Sequence, residues 1–235
     1  MFENDLFKSH HLEHLLTEER KAKLLQYETI LRDYNAQFNL TAIIEHEAVW
    51  TKHFLDSLLP FVDVLKNQSG VSLLDLGSGA GFPGIVLAIF FEQLSVSVLD
   101  ATTKKTRFLE FLIGELELSN VTVINARAEV YVKEHIESFD IVTSRGFSQL
   151  NIFLEMGTPF LKLHGILIAL KGSNGFEELK AARNAVNILN LSLIKQQEYD
   201  LRTNFDHRIN FCFQKDKATD IRYPRPYATI IKKPL

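Results

Sequence analysis

The apolar positions before about residue 70 recur with a helical period. Five of them lie three or four residues apart within 17–38, which predicts an amphipathic helix. They are Leu24, Tyr27, Leu31, Tyr34 and Phe38. A second helix is predicted over 45–65 with an interruption near Pro60, and Asn39-Leu40-Thr41 is predicted to form the turn between the two helices. The first part of the chain is therefore predicted to be helical.

After residue 70 the period changes, and short apolar runs alternate with stretches of helical pattern. Strands are predicted over 71–76, 94–99, 121–125, 139–143, 165–170, 191–200 and 207–214. Helices are predicted over 83–92, 103–117, 128–136, 148–157 and 174–189. No helix separates the last two strands, which favours an antiparallel pair at the sheet edge. The pattern predicts a Rossmann-like α/β fold, with a mainly parallel seven-stranded sheet and helices on both faces.

These elements divide the chain into three predicted parts. Residues 1–68 form a helical extension packed on the core, 69–217 form the Rossmann-like core, and 218–235 form a basic C-terminal tail. A chain of 235 residues is long enough for one such core with a small helical addition.

Charge is distributed unevenly along the chain. The formal net charge is −3, which taken alone argues against a nucleic-acid partner. Residues 1–70 carry 7 Lys/Arg against 11 Asp/Glu, whereas residues 195–235 carry 9 against 5. The basic C-terminal part could contact phosphates or could be a solvated tail, and the charges alone do not choose between these interpretations.

Composition also limits location and metal chemistry. No apolar run is as long as the roughly 18 residues of a membrane span, and the polar start does not resemble a signal peptide, so we expect a cytoplasmic protein. Cys212 lies in an apolar run and is expected to be a buried, unreactive strand residue. His10, His11 and His14 have helical spacing but no acidic or cysteine partner, so no metal site is expected.

A glycine-rich segment follows the first predicted strand. Gly77, Gly79, Gly81 and Gly84 fall within eight residues, and Phe82 stands where a dinucleotide fingerprint has its third glycine. Asp100 ends the next strand-like run, and an ionised carboxylate can accept hydrogen bonds from both hydroxyls of an adenosyl ribose. This layout favours S-adenosylmethionine over NAD as the cofactor, with Gly77, Gly79, Gly81 and Asp100 in its binding site.

Charged residues follow the other predicted strands. Ligands bind beyond the carboxyl ends of parallel strands, and Arg127, Glu129, Arg145 and Lys171 all lie there. An arginine fork can hold a phosphate or a planar base, so Arg145 and then Arg127 are the candidates for catalysis. The Asn/Asp-Pro-Pro-Tyr/Phe segment that holds an exocyclic amine and the Pro-Cys nucleophile for cytosine are both missing from the sequence.

Eight segments, in order along nearly the whole chain, resemble one family. They are Tyr34-Asn35, Asn39-Leu40-Thr41, His53-Phe-Leu-Asp-Ser57, Asp75-Leu-Gly-Ser-Gly-Ala-Gly-Phe-Pro-Gly84, Lys104-Lys105-x-Arg107-Phe-Leu109, Arg127-Ala-Glu129, Ser144-Arg145 and Ala169-Leu-Lys-Gly172. The sequence is similar to the bacterial 16S ribosomal RNA guanine-N7 methyltransferases, the family first called glucose-inhibited division protein B. The ending Arg222-Tyr-Pro-Arg225 is similar to that of some members.

The resemblance implies a fold, a reaction and a set of site residues. The fold is that of a class I S-adenosylmethionine-dependent methyltransferase, and the methyl acceptor is N7 of a guanine, nucleotide 527 in that family. The cofactor site falls at Gly77, Phe82, Ala128, Glu129 and Arg145. Gly146 replaces the alanine that more often follows this arginine.

The implied partner is 16S ribosomal RNA or the small ribosomal subunit, and the protein is expected to act as a monomer. Two alternatives stay open: a methyltransferase with another substrate, and a non-catalytic ribosome-assembly factor that uses the glycine loop to sense a ligand. Methyl transfer from labelled cofactor to ribosomal RNA would distinguish them.

Overall fold

Seven strands form one sheet within the described residues, 2–66, 68–201 and 206–235, of the computed structural model. The strands are β1 Ser72–Leu76, β2 Ser95–Asp100, β3 Val121–Asn125, β4 Phe139–Arg145, β5 Leu161–Lys171, β6 Leu191–Asp200 and β7 His207–Lys215. Their order is β3-β2-β1-β4-β5-β7-β6, and only the β5–β7 and β7–β6 pairs are antiparallel. The predicted sheet and its antiparallel edge are confirmed. Arg202, one of the basic residues of the C-terminal part, lies outside the described residues.

Helices cover both faces of this sheet. The α-helices are α1 Phe2–Ser9, α2 Glu18–Phe38, α3 His46–Val49, α4 Asp56–Leu58, α5 Val62–Leu65, α6 Gly84–Phe90, α7 Thr103–Glu115, α8 Ala128–Tyr131, α9 Leu150–Gly157, α10 Gly175–Ala181, α11 Arg183–Ile188 and α12 Tyr227–Lys232. Short 3₁₀ segments lie at Glu13–Leu15, Val132–Glu134 and Thr158–Phe160.

The buried apolar residues form two clusters, one on each side of the sheet. One includes Trp50 and Phe54 with side chains of α2, α6 and α7, and the other includes Phe153 and Phe211 with side chains of α9 and α11. A sheet covered on both faces needs near-continuous apolar strands, and the interior strand β1 is buried over its last four residues. The helical first part of the chain shares the first cluster, so it packs directly on the core. The predicted division into three parts stays a prediction.

The predicted helix over 45–65 differs most from the structure. It is divided into α3, α4 and α5, and Trp50–Leu55 between the first two is a π-helix. A π-helix has a wider turn than an α-helix and often occurs at functional sites. Pro60 has no amide hydrogen to continue a helical ladder, so the break lies where it was predicted.

The last residues of the chain pack on the core instead of extending from it. Ile230 of α12 is fully buried, and Arg225 donates to both carboxylate oxygens of the fully buried Glu155, at 2.7 and 2.6 Å. One of the cations predicted for a basic tail is therefore part of a buried ion pair, because Glu155 requires a partner in the core.

Candidate active site

The loop from β1 to α6 is shaped by its glycines. Gly77, Gly79 and Gly81 have φ angles of +70°, +60° and +99°, a region that side chains rarely allow. A Cβ atom at Gly77 would collide with the ring of Phe147, and one at Gly81 would lie 2.6 Å from the hydroxyl of Tyr27. The turn therefore requires glycine for both its conformation and its close neighbours.

Asp75 holds this loop from below. Its carboxylate is fully buried, and its Oδ2 accepts a hydrogen bond of 2.9 Å from the amide of Gly84, at the start of α6. Burial raises the pKa of Asp75 to about 7. The side chain fixes the turn and the helix start.

Asp100 closes the same loop from the neighbouring strand. It accepts hydrogen bonds from the amides of Gly79 at 3.1 Å and of Thr102 at 2.8 Å, and Lys105 lies 3.6 Å from its Oδ2. These contacts hold the carboxylate at the carboxyl end of β2, next to the glycine turn.

A cavity of about 310 Å³ opens above this turn, and we call it the first cavity. Its lining comprises Gly77, Leu99, Asp100, Ala101, Lys105, Ala126, Arg127, Ala128, Glu129, Gly146, Phe147, Met156 and Tyr227. The lining combines two carboxylates, which can accept from hydroxyl and amine donors, with apolar side chains that suit an adenine ring. These residues fit S-adenosylmethionine.

Arg145 lies beside this cavity, but its guanidinium contacts the π-helix and the start of α4. Its guanidinium donates to the backbone oxygen of Lys52 at 2.9 Å and to His53 Nδ1 at 3.0 Å, and it lies 3.6 Å from Asp56. The guanidinium carbon lies 4.8 Å from the centroid of the Phe82 ring. The π-helix and the start of α4 therefore hold the arginine in a fixed orientation.

His53 connects this arginine to the junction between α2 and α3. Burial and the neighbouring Arg145 lower the pKa of His53 to about 3, so the imidazole is neutral. Because Nδ1 accepts from Arg145, the ring hydrogen is on Nε2 and is donated to Thr41 Oγ1 at 3.0 Å. The amide of Thr41 in turn donates to Asn35 Oδ1 at 2.8 Å. The segments at Asn35, Thr41 and His53 thus form one chain of hydrogen bonds that ends at Arg145.

A second cavity of about 440 Å³ lies on the other side of Gly146. Its lining comprises Ile43, Lys52, His53, Asp56, Arg145, Gly146, Ser148, Leu170, Lys171, Gly172, Glu178 and Arg208. Gly146 lines both cavities, and a Cβ atom there would meet no heavy atom within 4 Å. A bound molecule in one cavity would therefore lie next to a molecule in the other.

The predicted site residues fall into three places. Gly77, Asp100, Arg127, Ala128 and Glu129 line the first cavity, and Arg145 lines the second. The other three, Gly79, Gly81 and Phe82, belong to the loop beneath the first cavity and are absent from both linings.

Phe82 and Arg127 show how different these environments are. The ring of Phe82 is stacked between Tyr27 and His53, with centroid distances of 5.2 and 4.3 Å, and the residue is 4% exposed. The side chain of Arg127 is 68% exposed, and its nearest acid is Glu129 at 3.7 Å. The roles assigned to these residues stay predictions.

Several residues of both cavities were not selected from the sequence. Asp56 and Arg208 are joined by a hydrogen bond of 3.0 Å across 152 positions of the chain, and Tyr227 reaches the first cavity from α12. For Asp56 a signal existed, since it lies in the His53–Ser57 segment on which the family resemblance rests. Arg208 lies in an ordinary strand pattern and Tyr227 in the predicted C-terminal tail, and neither position carries such a signal.

The sheet, the glycine loop and the acid at the end of β2 define an S-adenosylmethionine-dependent methyltransferase of class I. The family model described as rRNA small subunit methyltransferase G matches residues 20–202, and the chain belongs to this family. The class, the cofactor and the family predicted from the sequence are confirmed.

Two relatives agree with this assignment, and one solved structure agrees with the fold. The ribosomal RNA small subunit methyltransferase G of Fusobacterium nucleatum is 44% identical over 93% of each chain, and that of Staphylococcus aureus is 38% identical over 97% of this chain and 95% of the relative. The structure of M. jannaschii TYW2 in complex with AdoMet has a TM-score of 0.52 at 16% identity, covering 69% of this chain and 77% of that one. It shows the same fold.

Proposed function

We propose that this protein transfers a methyl group from S-adenosylmethionine to N7 of a guanine in the 16S RNA of the small ribosomal subunit. The observation that carries the proposal is the pair of cavities that meet at Gly146, one fitted to the cofactor and one rich in cations. Family membership supports the enzyme class and the kind of RNA.

The residues near the cavities suit a transfer that requires no general base. Guanine N7 has a lone pair and no proton, so it can attack a methyl group directly. The cofactor, when bound, supplies that methyl group on a positively charged sulfur. The contribution of this chain is to align the two reactants, an effect that can reach roughly 7–11 kcal/mol in well-oriented systems.

Individual side chains have distinct tasks in this proposal. Asp100 accepts from the ribose hydroxyls, while Gly77, Ala128 and Glu129 complete the cofactor site. Arg145 lines the second cavity, so a planar base bound there would stack against its guanidinium. Arg127, with an exposed guanidinium, is the second candidate for contact with the RNA.

No thiolate takes part in this reaction. Cys212 lies on β7, is 1% exposed, and burial raises its thiol pKa to about 11. We expect Cys212→Ser to keep turnover.

The reaction is tested by replacing the target guanine with 7-deazaguanine. The replacement exchanges the N7 lone pair for a C–H group and leaves the Watson–Crick edge and the stacking surface unchanged. We expect RNA binding to be retained and methyl transfer to be abolished. Continued methylation of that base would exclude N7 as the acceptor.

The proposal extends to the setting of the reaction. No helix within the described residues is long and apolar enough to cross a membrane. We place the reaction in the cytoplasm, with the protein acting as a monomer on ribosomal RNA or on the small subunit. Light scattering of the protein at its working concentration measures the oligomeric state.

A further inference from the structure

The strand order places the two cavities in a row along one edge of the sheet. β2 ends at Asp100 in the first cavity, β4 ends beside Gly146, and β5 ends at Lys171 in the second cavity. The order across the edge is β2-β1-β4-β5. A base that receives a methyl group from the first cavity therefore lies over β4 and β5, with one edge towards the cofactor and the opposite edge towards β5.

Glu178 of α10 lies at the β5 side of this cavity. Its Oε2 accepts from the amide of Leu150 and from the ammonium of Lys171, both at 2.7 Å. Both contacts that the described residues make with this carboxylate fall on Oε2. The side chain lines the second cavity and is 27% exposed, so Oε1 can accept from a donor that enters the cavity.

The other acid of the second cavity is already engaged. Asp56 is held by Arg208 at 3.0 Å and by Arg145 at 3.6 Å, and its side chain is 5% exposed. Lys171 donates to the backbone oxygen of Ser148 at 2.6 Å as well as to Glu178. Of the two acids that line the second cavity, Glu178 is therefore the one with an oxygen, Oε1, that can accept a hydrogen bond from a ligand.

Guanine requires such an acceptor if it is to be distinguished from adenine. Both purines have an N7 lone pair, so the methylated atom cannot select between them. Guanine carries donors at N1 and at the 2-amine, whereas adenine has an acceptor at N1 and no 2-amine. A site built to accept from donors rejects an analogue that lacks them, because its polar groups are left unpaired.

Resting on the proposed function, we propose that Glu178 is the specificity-determining residue for the base. Its Oε1 accepts hydrogen bonds from N1–H and the 2-amine of the target guanine, on the edge that faces away from the cofactor. Lys171 and Leu150 hold the carboxylate in position for this contact.

The test combines a change in the protein with a change of one group in the base. Methylation is measured as kcat/KM on 16S RNA that carries guanosine or inosine at the methylated position. Inosine keeps N7, O6 and N1–H and lacks the 2-amine. Wild-type protein is expected to prefer guanosine by roughly tenfold to a hundredfold, the range for a hydrogen bond to a charged group.

Glu178→Gln and Glu177→Gln form the matched pair of variants. In Glu178→Gln the side-chain oxygen can still accept from the amide of Leu150, and the NH2 group then faces the base. A donor replaces the acceptor there, so the preference for guanosine should disappear. Glu177 is exposed on the same helix and is absent from the lining of the second cavity, so its variant should keep the wild-type preference. Because each preference is a ratio within one protein sample, partial unfolding does not change it.

The outcomes separate this proposal from the function on which it rests. Absence of N7 methylation of guanosine by wild-type protein contradicts the proposed function itself. Normal methylation of guanosine with an unchanged preference in Glu178→Gln contradicts only the assignment of Glu178. A purely structural role would lower kcat/KM on both RNAs equally and would also leave the preference unchanged.

Discussion

The first and second cavities lie side by side, but they are formed in different ways. The first is lined mainly by residues at or just after the carboxyl ends of β1, β2 and β3, and backbone amides that follow β1 and β2 hold Asp100. The second is formed by side chains from distant parts of the chain. Among them, Asp56 forms ion pairs with both Arg145 and Arg208. A change in the first cavity should therefore affect ligand affinity, whereas a change in the second should also affect the fold.

Asp56→Ala should have the largest effect. Two guanidinium groups, 17% and 20% exposed, would be deprived of the acid that lies between them. Removing one partner of a buried ion pair costs about 3–5 kcal/mol, because the remaining charge is left uncompensated. We expect the free energy of unfolding, measured by urea denaturation, to fall by about this amount.

Asp63→Ala provides the control for this prediction. Asp63 also pairs with a cation, Lys195 at 2.7 Å, but its side chain is 72% exposed. Exposed pairs contribute less than about 1 kcal/mol. Equal effects of the two variants on unfolding would show that the Asp56 network does not stabilise the second cavity.

Asp100→Ala should change cofactor binding more than stability. A hydrogen bond to a charged group contributes about 1.5–3 kcal/mol, so S-adenosylmethionine affinity should fall roughly tenfold to a few hundredfold. Calorimetric titration measures the affinity, and circular dichroism checks the fold. Asp140→Ala is the control, since Asp140 contacts Ser72 at the amino end of β1. Unchanged affinity in folded Asp100→Ala would remove this residue from the cofactor site.

The glycine loop was predictable because its signal lies in consecutive residues. A strand, four glycines and an acid at the end of the next strand indicated the cofactor and the first cavity. The second cavity was only partly predictable, because the contact between Asp56 and Arg208 spans 152 positions. The fold followed from hydrophobic periodicity, while the π-helix at Trp50–Leu55 did not, because its register depends on the packing of Trp50 and Phe54 in the core.

The pH dependence of stability should show opposite contributions from His53 in the second cavity and from Asp75 beneath the glycine loop. The pKa of His53 is lowered from 6.5 to about 3, so between these values only the unfolded chain is protonated there, and stability rises with pH. The pKa of Asp75 is raised from 3.8 to about 7, so the folded chain keeps a proton that the unfolded chain releases, and stability falls with pH. Each contribution amounts to roughly 1 kcal/mol per pH unit.

Two variants separate these contributions. The free energy of unfolding of His53→Gln minus that of wild type should become more negative as the pH rises from 4 to 6.5. The corresponding difference for Asp75→Asn should become more positive over the same interval. Urea denaturation at several pH values provides the measurement. Parallel curves for the two variants would contradict the opposite signs derived for the second cavity and the glycine loop.

The smallest effect is expected at α12, which contributes Tyr227 to the first cavity. Arg225 is excluded from this test because it neutralises the buried Glu155. Lys232 and Lys233 are exposed, and replacing both by alanine should lower the slope of log affinity against log salt by roughly 0.7 for each phosphate of single-stranded RNA that they neutralise. Replacing Lys8 and Lys66, which are exposed in the helical first part, removes the same charge and should leave the slope unchanged. Equal slopes in all three proteins would mean that Lys232 and Lys233 neutralise no phosphate of the bound RNA.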